Sequence, residues 1–317
     1  MSIAIDLALI VLSIGLLWKG SDILVEAASK IAASLGISDL VIGLTVVAIG
    51  TSAPEFAVTI NAVLEGKSDI SVSNVVGSNI FNLGFILGGT AWIHSVATNT
   101  KLVYRDGFFL IGVTLLLSYF LFNDSTPGQI SLDRWEGFVL LGLLVSYMSF
   151  LFIKKEAPDE EHISHEKVRP LDILLLILGI GGVVYGGDLL VEHASSVARS
   201  FGVSEWVIGV TIVAAGTSAP ELATSLTAAM KNKHGMAVGN LIGSDLFNLL
   251  GVLGLAGVLK ESLVVSPAAE SSMIMLVIMV VVVVAFMRTG WKISRVEGAI
   301  LVLSNLVRWV FDFMSKS

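Results

Sequence analysis

Two stretches of this sequence are nearly the same. Residues 36–55 read GISDLVIGLTVVAIGTSAPE and residues 202–221 read GVSEWVIGVTIVAAGTSAPE, with fourteen of twenty positions identical at an offset of 166 residues. The offset continues without a gap in both directions. The chain is therefore two copies of one unit, and any fold for it must accommodate that duplication.

The composition places most of this chain in a lipid environment. Hydrophobic residues make up 55% of the sequence, charged residues 14%, and the mean hydropathy is +0.87, which is too apolar for a water-soluble domain of this length. The absence of cysteine excludes disulfides, cysteine-ligated zinc and thiol nucleophiles. The first apolar stretch has no Lys or Arg before it and no clear cleavage site after it, so we expect a retained first helix rather than a signal peptide.

Ten apolar stretches approach the length of about 20 residues that a membrane span requires. Five precede the polar residues 154–169 and five follow them, so two halves of one fold must enter the membrane in opposite orientations. The predicted fold is an all-α polytopic membrane protein of ten transmembrane helices, built as two inverted five-helix repeats with broken helices at the midplane. The first repeat is 1–153, a short cytoplasmic linker 154–170 and the second repeat 171–317; the spans lie near 3–20, 38–64, 69–96, 104–123, 135–153, 171–191, 204–230, 236–258, 265–287 and 295–314.

Basic residues indicate how the chain is oriented. With the N-terminus outside, twelve Lys and Arg fall in cytoplasmic loops and six fall outside, leaving Lys19 within a span. This bias predicts that both termini lie outside, and the compact sequence without a signal peptide suggests a prokaryotic plasma (inner) membrane. The linker carries His162 and His165 among acidic residues and could bind a metal ion, but a solvated connection between the repeats is the favoured interpretation.

Each copy also contains a carboxylate in the middle of an apolar stretch. Glu55 lies mid-span, where a carboxylate is costly unless it faces a cavity, is paired or is protonated. Pro54 removes a backbone donor, so the helix should break just before it, freeing carbonyls near Ala48 and starting a half-helix near Thr51. Interruptions at corresponding places in two halves are typical of transporter binding sites. The predicted oxygen ligands for an ion are Glu55, Thr51, Ser52 and the Ala48 carbonyl, with Glu221, Thr217, Ser218 and the Ala214 carbonyl in the second copy.

Two such glutamates meeting at the midplane would form an oxygen cage with two negative charges. This donor set matches a hard divalent cation, and the lack of a nearby His or Cys disfavours zinc and copper. A single intramembrane glutamate could simply be a buried, protonated residue. Its repetition with the whole Gly-Thr-Ser-Ala-Pro frame favours a function.

The following span contributes a second pair of polar residues in each half. Ser78 and Asn82 are four residues apart, as are Ser244 and Asn248, so each pair lies on one helical face. Small and amide residues also serve as packing between membrane helices. Beside the paired glutamates, we interpret them as a second wall of the same site.

The other acidic residues are harder to interpret. Asp245 stands where the first half has Asn79, and it could add a third carboxylate, carry a proton or pair away from the site. We favour a functional role for it. The acidic pairs near the first span of each half, interpreted as helix caps or entrance residues, are Asp22 with Asp188 and Glu26 with Glu192.

At these residues the chain resembles the cation/calcium antiporter superfamily, and within it the compact prokaryotic members of the sodium/calcium exchanger family. The resemblance rests on two copies of G-T-S-x-P-E, each followed by G-S-[ND]-x-F-N, and covers nearly the whole chain. It implies an antiporter, not an enzyme, that exchanges calcium for sodium, with Glu55 and Glu221 ligating calcium and sharing in sodium binding. The residues that would complete the ion shells are Thr51, Ser52, Thr217, Ser218, Ser78, Ser244, Asn82 and Asn248, with the carbonyls of Ala48 and Ala214.

The resemblance also bounds the partners of the chain. It implies small inorganic cations and the lipid bilayer, with no cofactor, no nucleic acid and no obligatory protein partner. One departure affects the ion coupling: some relatives, including potassium-dependent ones, carry Asp where this chain has Asn248. Sodium stoichiometry, and any potassium or proton coupling, therefore stay open.

The residues also suggest how exchange would be coupled. Two unpaired carboxylates cannot cheaply cross a closed, low-dielectric barrier, so an empty site should resist the inward–outward transition that a loaded site permits. Protons could neutralise the same carboxylates, which makes a calcium/proton exchanger the alternative. A channel would need a continuous filter of oxygen ligands, so broken helices within one chain favour a transporter. An intramembrane aspartyl protease is disfavoured, because it would rest on only two short sequence matches around Asp188 and Asp245.

Overall fold

Helices account for almost all of the structure. The computed structural model describes residues 3–123, 130–154, 168–203, 208 and 212–314. The linker histidines His162 and His165 lie outside the described residues. The helices are α1 (Ile3–Leu35), α2 (Asp39–Thr51), α3 (Ala53–Leu64), α4 (Ser68–Ile93), α5 (Leu102–Phe122), α6 (Arg134–Lys154), α7 (Pro170–Ser200), α8 (Ala214–Thr217), α9 (Ala219–Met230), α10 (His234–Leu259), α11 (Ala268–Arg288) and α12 (Arg295–Met314).

The helices confirm a multi-pass membrane protein. Among the described residues, seven helices are long and apolar enough to cross a membrane, or eight if the bent pair α2 and α3 forms one span. The predicted stretch 204–230 is described only in part, as α8 and α9. The stretch 295–314 is a helix but is less apolar, since it carries charges such as Arg295, Glu297 and Arg308. Ten spans therefore remain a prediction.

The first helix of each half is longer than predicted. The stretch predicted near 3–20 continues as α1 to Leu35, and that near 171–191 continues as α7 to Ser200. Residues 21–35 are amphipathic rather than wholly apolar, with Leu24, Val25 and Ile31 buried on one face. A search for unbroken apolar runs misses such an extension, because helix packing requires only one apolar face.

Helices α4 and α10 form the centre of the molecule. In their most apolar windows, 67% and 83% of the residues are buried, against 22% in α1 and 28% in α7. Glycines allow α10 to lie directly against α2: a methyl group on Gly243 would lie 2.6 Å from the Leu44 carbonyl oxygen, and one on Gly239 would lie 2.8 Å from the Leu40 carbonyl oxygen. Such close backbone contact through small residues is typical of membrane helix interfaces.

Each half also contributes two short strands, which the all-α prediction did not include. The strand β1 (Val96–Ala97) pairs antiparallel with β4 (Lys292–Ile293), and β2 (Ile130–Asp133) pairs with β3 (Ser262–Val265). In both ribbons a strand of the first half pairs with a strand of the second. The ribbons connect the two repeats, and strand residues such as Leu132 and Leu263 are buried in the hydrophobic core.

The two repeats pack differently around equivalent glycines. Gly243 touches the backbone of α2, whereas a methyl group on Gly77, its equivalent, would meet no atom within 4 Å. Gly77 instead lines a cavity of about 130 Å³ between α4 and α12. The cavity is also lined by Asn74, Ser78 and Trp309.

This difference predicts unequal effects of the same substitution. Gly243→Ala should destabilise the protein by about 1–3 kcal/mol, because the methyl group overpacks against backbone that cannot move aside. Gly77→Ala should be neutral or slightly stabilising, since alanine favours the helix and the space is open. Thermal unfolding of the detergent-solubilised variants measures this difference, and equal midpoints would contradict it.

Candidate cation-binding site

The helix of each half breaks where the motif predicted. In the first half α2 ends at Thr51 and α3 begins at Ala53, with a bend of 50° between them. Pro54 occupies the first turn of α3, where its missing N–H is harmless. The half-helix begins two residues beyond the predicted start, and Glu55 lies in its first turn, where the helix dipole favours a carboxylate.

The second half repeats this arrangement. There α8 ends at Thr217, α9 begins at Ala219, and Pro220 and Glu221 lie in its first turn. Ala214 is the first residue of α8. The repeated motif therefore produces the same local structure twice.

The two broken helices exchange hydrogen bonds at their centres. The Ser52 hydroxyl donates to Glu221 Oε1 at 2.9 Å, and the equivalent Ser218 hydroxyl donates to Glu55 Oε1 at 2.9 Å. Both glutamates are at most 1% exposed. Each carboxylate thus depends on a hydroxyl group from the opposite repeat.

Further oxygens surround this pair. The Thr217 hydroxyl lies beside Glu55, and the Thr51 hydroxyl lies beside Glu221. The Ser244 hydroxyl is 3.4 Å from both Glu221 Oε1 and the Ala48 carbonyl oxygen. These hydroxyl and carbonyl oxygens therefore converge on the two glutamates.

Two predicted oxygens have partners that the sequence did not indicate. The Ala48 carbonyl is not freed by the break, because α2 continues far enough for it to accept the Ser52 N–H at 3.0 Å. Its second lone pair accepts hydroxyl groups, including that of Thr51 at 3.3 Å. Ser78 also differs from its equivalent Ser244, since its hydroxyl donates to the Asn74 carbonyl at 2.8 Å.

The amides on α4 and α10 form a chain across the two repeats. Asn82 Nδ2 donates to Asp245 Oδ1 at 3.1 Å, and Asn248 Nδ2 donates to Asn79 Oδ1 at 3.1 Å. Asn79 Nδ2 in turn donates to the Asp245 carbonyl oxygen at 3.1 Å. Asn82 and Asn248 each lie at a π-helical turn, Asn82–Leu87 or Phe247–Val252, a distortion often found at functional sites.

Five buried oxygens in this region have no hydrogen-bond partner. An unsatisfied buried polar atom costs about 1–3 kcal/mol, and more for a charged group, so the cluster would be destabilising without a ligand. Every unpaired atom here is an acceptor, which a cation satisfies and an anion does not. The five atoms are Glu55 Oε2, Glu221 Oε2, Asp245 Oδ2, Asn82 Oδ1 and Asn248 Oδ1.

The available donors fit a hard cation. Within the described ranges no three or more His, Cys, Asp or Glu side chains form a metal-binding group of their own, so hydroxyl, amide and carbonyl oxygens would have to complete the shell. Oxygen shells of this mixed kind suit calcium and similar hard cations.

Sequence reasoning missed a second pair of asparagines. Asn74 Nδ2 donates to Thr59 Oγ1 at 2.9 Å and to the Glu55 carbonyl at 3.4 Å. Its equivalent Asn240 accepts the Thr51 hydroxyl at 3.1 Å and donates to Ser225 at 3.0 Å. The 166-residue offset identifies both asparagines, so the repeat contained the signal.

The outlying acidic residues do not join the site. Asp22 and Glu26 form ion pairs with Lys231 at the turn between α9 and α10. Asp188 is exposed, whereas Asp245 is fully buried against Asn82. A protease dyad, which needs two carboxyl groups in contact, is therefore not assembled from Asp188 and Asp245.

Helical membrane spans around buried, unpaired oxygens are typical of membrane proteins that bind and transport cations. The profile of the sodium/calcium exchanger protein family matches residues 5–153 and 171–312. The sodium/calcium exchanger MaX1 of Methanosarcina acetivorans is 32% identical over 337 residues, covering 95% of this chain and 96% of MaX1. The inner membrane protein YrbG of Escherichia coli is 32% identical over 322 residues, covering 96% of this chain and 95% of YrbG.

A solved structure shows the same similarity. The sodium-calcium exchanger NCX_Mj, soaked with 10 mM Na⁺ and zero Ca²⁺, matches with a TM-score of 0.84 and 31% identity, covering 98% of this chain and 99% of that chain. The chain therefore belongs to the sodium/calcium exchanger family of cation/calcium antiporters.

The reciprocal serines predict equal losses of binding. Ser52→Ala and Ser218→Ala should each weaken divalent-cation binding about tenfold, since each removes a hydroxyl oxygen and the donor that orients a glutamate. Ser146→Ala is the control, because Ser146 is exposed and bonds only within α6. Calcium-45 binding to the purified variants measures the effect. A large loss in one variant and none in the other would contradict the reciprocal arrangement.

Proposed function

We propose that this protein exchanges Ca²⁺ for Na⁺ by alternating access at a single midplane site. The observation that carries the proposal is the cluster of five unpaired oxygens between two reciprocally bonded broken helices. Two carboxylates from equivalent positions match the charge of one calcium ion. Sodium ions can bind at the same oxygens in place of calcium and neutralise the same two carboxylates.

The proposed site contains all the predicted residues. Glu55 and Glu221 ligate calcium and take part in sodium binding. The remaining shell contains hydroxyl, amide and carbonyl oxygens, with Asp245 beside it as a third carboxylate. These residues are Thr51, Ser52, Thr217, Ser218, Ser78, Ser244, Asn82 and Asn248, with the carbonyls of Ala48 and Ala214.

The proposed architecture is ten spans in two inverted repeats. It comprises a first repeat at 1–153, a linker at 154–170 and an inverted second repeat at 171–317. Two observations support a two-fold relation between the halves. The serine–glutamate bonds are reciprocal, and each ribbon pairs one strand from each half. An internal two-fold relation of this kind lets one half reproduce the conformation of the other, which alternating access requires.

Coupling follows from the uncompensated charge. None of the described Lys, Arg or His side chains forms an ion pair with Glu55 or Glu221. An empty site would carry this charge through the occluded state, where desolvation makes it costly. The protein therefore changes between its inward-facing and outward-facing states only when the site is loaded. Each ion that leaves must be replaced by another, so transport is exchange rather than leak.

The proposed location is the plasma (inner) membrane, with both termini outside. The bias of basic residues toward predicted cytoplasmic loops supports this orientation. The relative YrbG bears the name of an inner membrane protein, which agrees with the proposed membrane.

Transport in proteoliposomes tests the proposed exchange. Vesicles containing the purified protein are loaded with sodium and diluted into sodium-free buffer with calcium-45. We expect calcium uptake that requires the outward sodium gradient and disappears when sodium is equal on both sides. Calcium uptake that is the same with and without the sodium gradient would contradict sodium coupling.

A proton-coupled exchanger is the second candidate. The third buried carboxylate, Asp245, gives the site more acidic groups than one calcium ion neutralises. The same vesicles with a pH gradient and no sodium separate the two candidates. Uptake driven by that gradient alone would favour calcium/proton exchange.

Neutralising either glutamate tests the site itself. Glu55→Gln and Glu221→Gln should each reduce calcium uptake to the level of empty vesicles, because each removes a negatively charged ligand from the ion shell. Glu65→Gln is the control: Glu65 follows α3, is exposed and pairs with Lys67. Retained exchange in both glutamine variants would place the transport site elsewhere.

A further inference from the structure

The orientation of two buried amides decides what the site offers to a cation. An asparagine side chain has one accepting end and one donating end, and only the oxygen can bind a cation. Asn82 and Asn248 occupy equivalent positions and are at most 1% exposed. In both, the oxygen is unpaired and the nitrogen is bonded. Both amides therefore face the right way for a cation, and something must hold them there.

The side chain of Asp245 holds the first amide. Asn82 Nδ2 donates to Asp245 Oδ1 at 3.1 Å. A carboxylate oxygen accepts hydrogen bonds and does not donate them, so reversing the Asn82 amide would bring two acceptors together. With Asp245 ionised, the contact therefore permits only the orientation in which Asn82 Oδ1 stays available.

The backbone of the same residue holds the second amide through Asn79. The Asp245 carbonyl oxygen, which can only accept, takes a hydrogen bond from Asn79 Nδ2 at 3.1 Å. This contact turns Asn79 Oδ1 toward Asn248, where it accepts from Asn248 Nδ2 at 3.1 Å. The oxygen of Asn248 is then left unpaired.

We infer that Asp245 is the positioning residue for both site amides. Its carboxylate orients Asn82 directly, and its carbonyl orients Asn248 through Asn79. The inference deepens the proposed function and rests on it, since it assigns the amide oxygens to the transported cation. It also gives a reason for aspartate at this position: an asparagine there could present its own donating end to Asn82 and permit the reversed orientation.

The geometry separates this role from that of the glutamates. Glu55 and Glu221 receive hydroxyl groups from the opposite repeat, whereas the carboxylate of Asp245 receives an amide. The three acidic side chains do not form a metal-binding group of their own among the described residues. Asp245 therefore acts beside the ion shell by fixing two of its members.

Double-mutant cycles test two arms of the network separately. The first arm is the contact of the Asp245 carboxylate with Asn82, and the second is the contact of the Asp245 carbonyl with Asn79, which orients Asn248. The readout is direct calcium-45 binding to the purified full-length protein, supported by the KM and kcat of calcium uptake. Asp245→Asn should weaken calcium binding about tenfold in the wild-type background, as changes beside a metal shell typically do. In an Asn82→Ala background the same substitution should change binding less than about twofold, because its target is gone.

The second arm is tested in the same way. Asn79→Leu keeps the size of the side chain but removes its donor and acceptor. It should weaken binding about tenfold alone and less than about twofold in an Asn248→Ala background. In the Asn82→Ala background it should keep its full effect, because the two arms diverge at Asp245. For both arms, KM should rise while kcat changes little.

Each other outcome overturns the inference. If Asp245→Asn keeps its full effect without Asn82, Asp245 acts as a direct ligand or through its charge. If the effect of Asn79→Leu is equal in all backgrounds, Asn79 has only a structural role. Size-exclusion profiles show whether each variant is folded, and if Asn79→Leu does not fold, the Asp245 and Asn82 cycle decides alone. A wild-type protein that binds no calcium would instead refute the proposed function.

Discussion

The arrangement of the whole molecule depends on two buried glutamates that have hydroxyl groups, not bases, as partners. Two other acidic residues in the membrane helices are paired with bases: Asp106 with Arg105 at 2.6 Å and Asp6 with His193 at 2.8 Å. Glu55 and Glu221 instead receive one serine each from the opposite repeat and retain a free oxygen. Burial of an unpaired carboxylate is unfavourable, which supports the proposal that a transported cation binds between these two glutamates. The two base-paired acids stabilise the fold, and the two glutamates belong to the proposed site.

The surrounding fold explains how such a cluster is held. The breaks at Ser52 and Ser218 bring the first turns of α3 and α9, with their glutamates, to the centre, where helix dipoles partly offset the negative charge. The close approach of α10 to α2 places Ser244 between Glu221 and Ala48. The amides of α4 and α10 complete the cluster. Because the cluster combines side chains from both repeats, distorting one half also displaces side chains contributed by the other.

Much of this could be predicted from the sequence, because duplication turns a weak local signal into a strong one. A lone Glu55 could have been an accident of packing, but the same residue in the same frame 166 positions later could not. Contacts between the repeats could not be predicted. No local sequence pattern indicates that Ser52 donates a hydrogen bond to Glu221, or that Asn79 accepts one from Asn248. A proline break suggests that the Ala48 carbonyl is free. The structure shows that helical hydrogen bonding continues up to Ser52, the residue before the new helix, so the Ala48 carbonyl is bonded. The helix extensions and the ribbons depend on tertiary packing, which an apolar run does not record.

The unequal packing of Gly77 and Gly243 has a consequence for how the molecule moves. Equivalent surfaces of the two repeats are tight on one side and open on the other: Ser244 is fully buried, while Ser78 lines a cavity of about 130 Å³. The proposed alternating access would let the two copies exchange their packing. The space beside Ser78 would then close, and an equivalent space would open beside Ser244. On that proposal one asymmetric conformation of a duplicated chain describes both ends of the cycle, and Gly77 and Gly243 lie on the surfaces that would separate and meet.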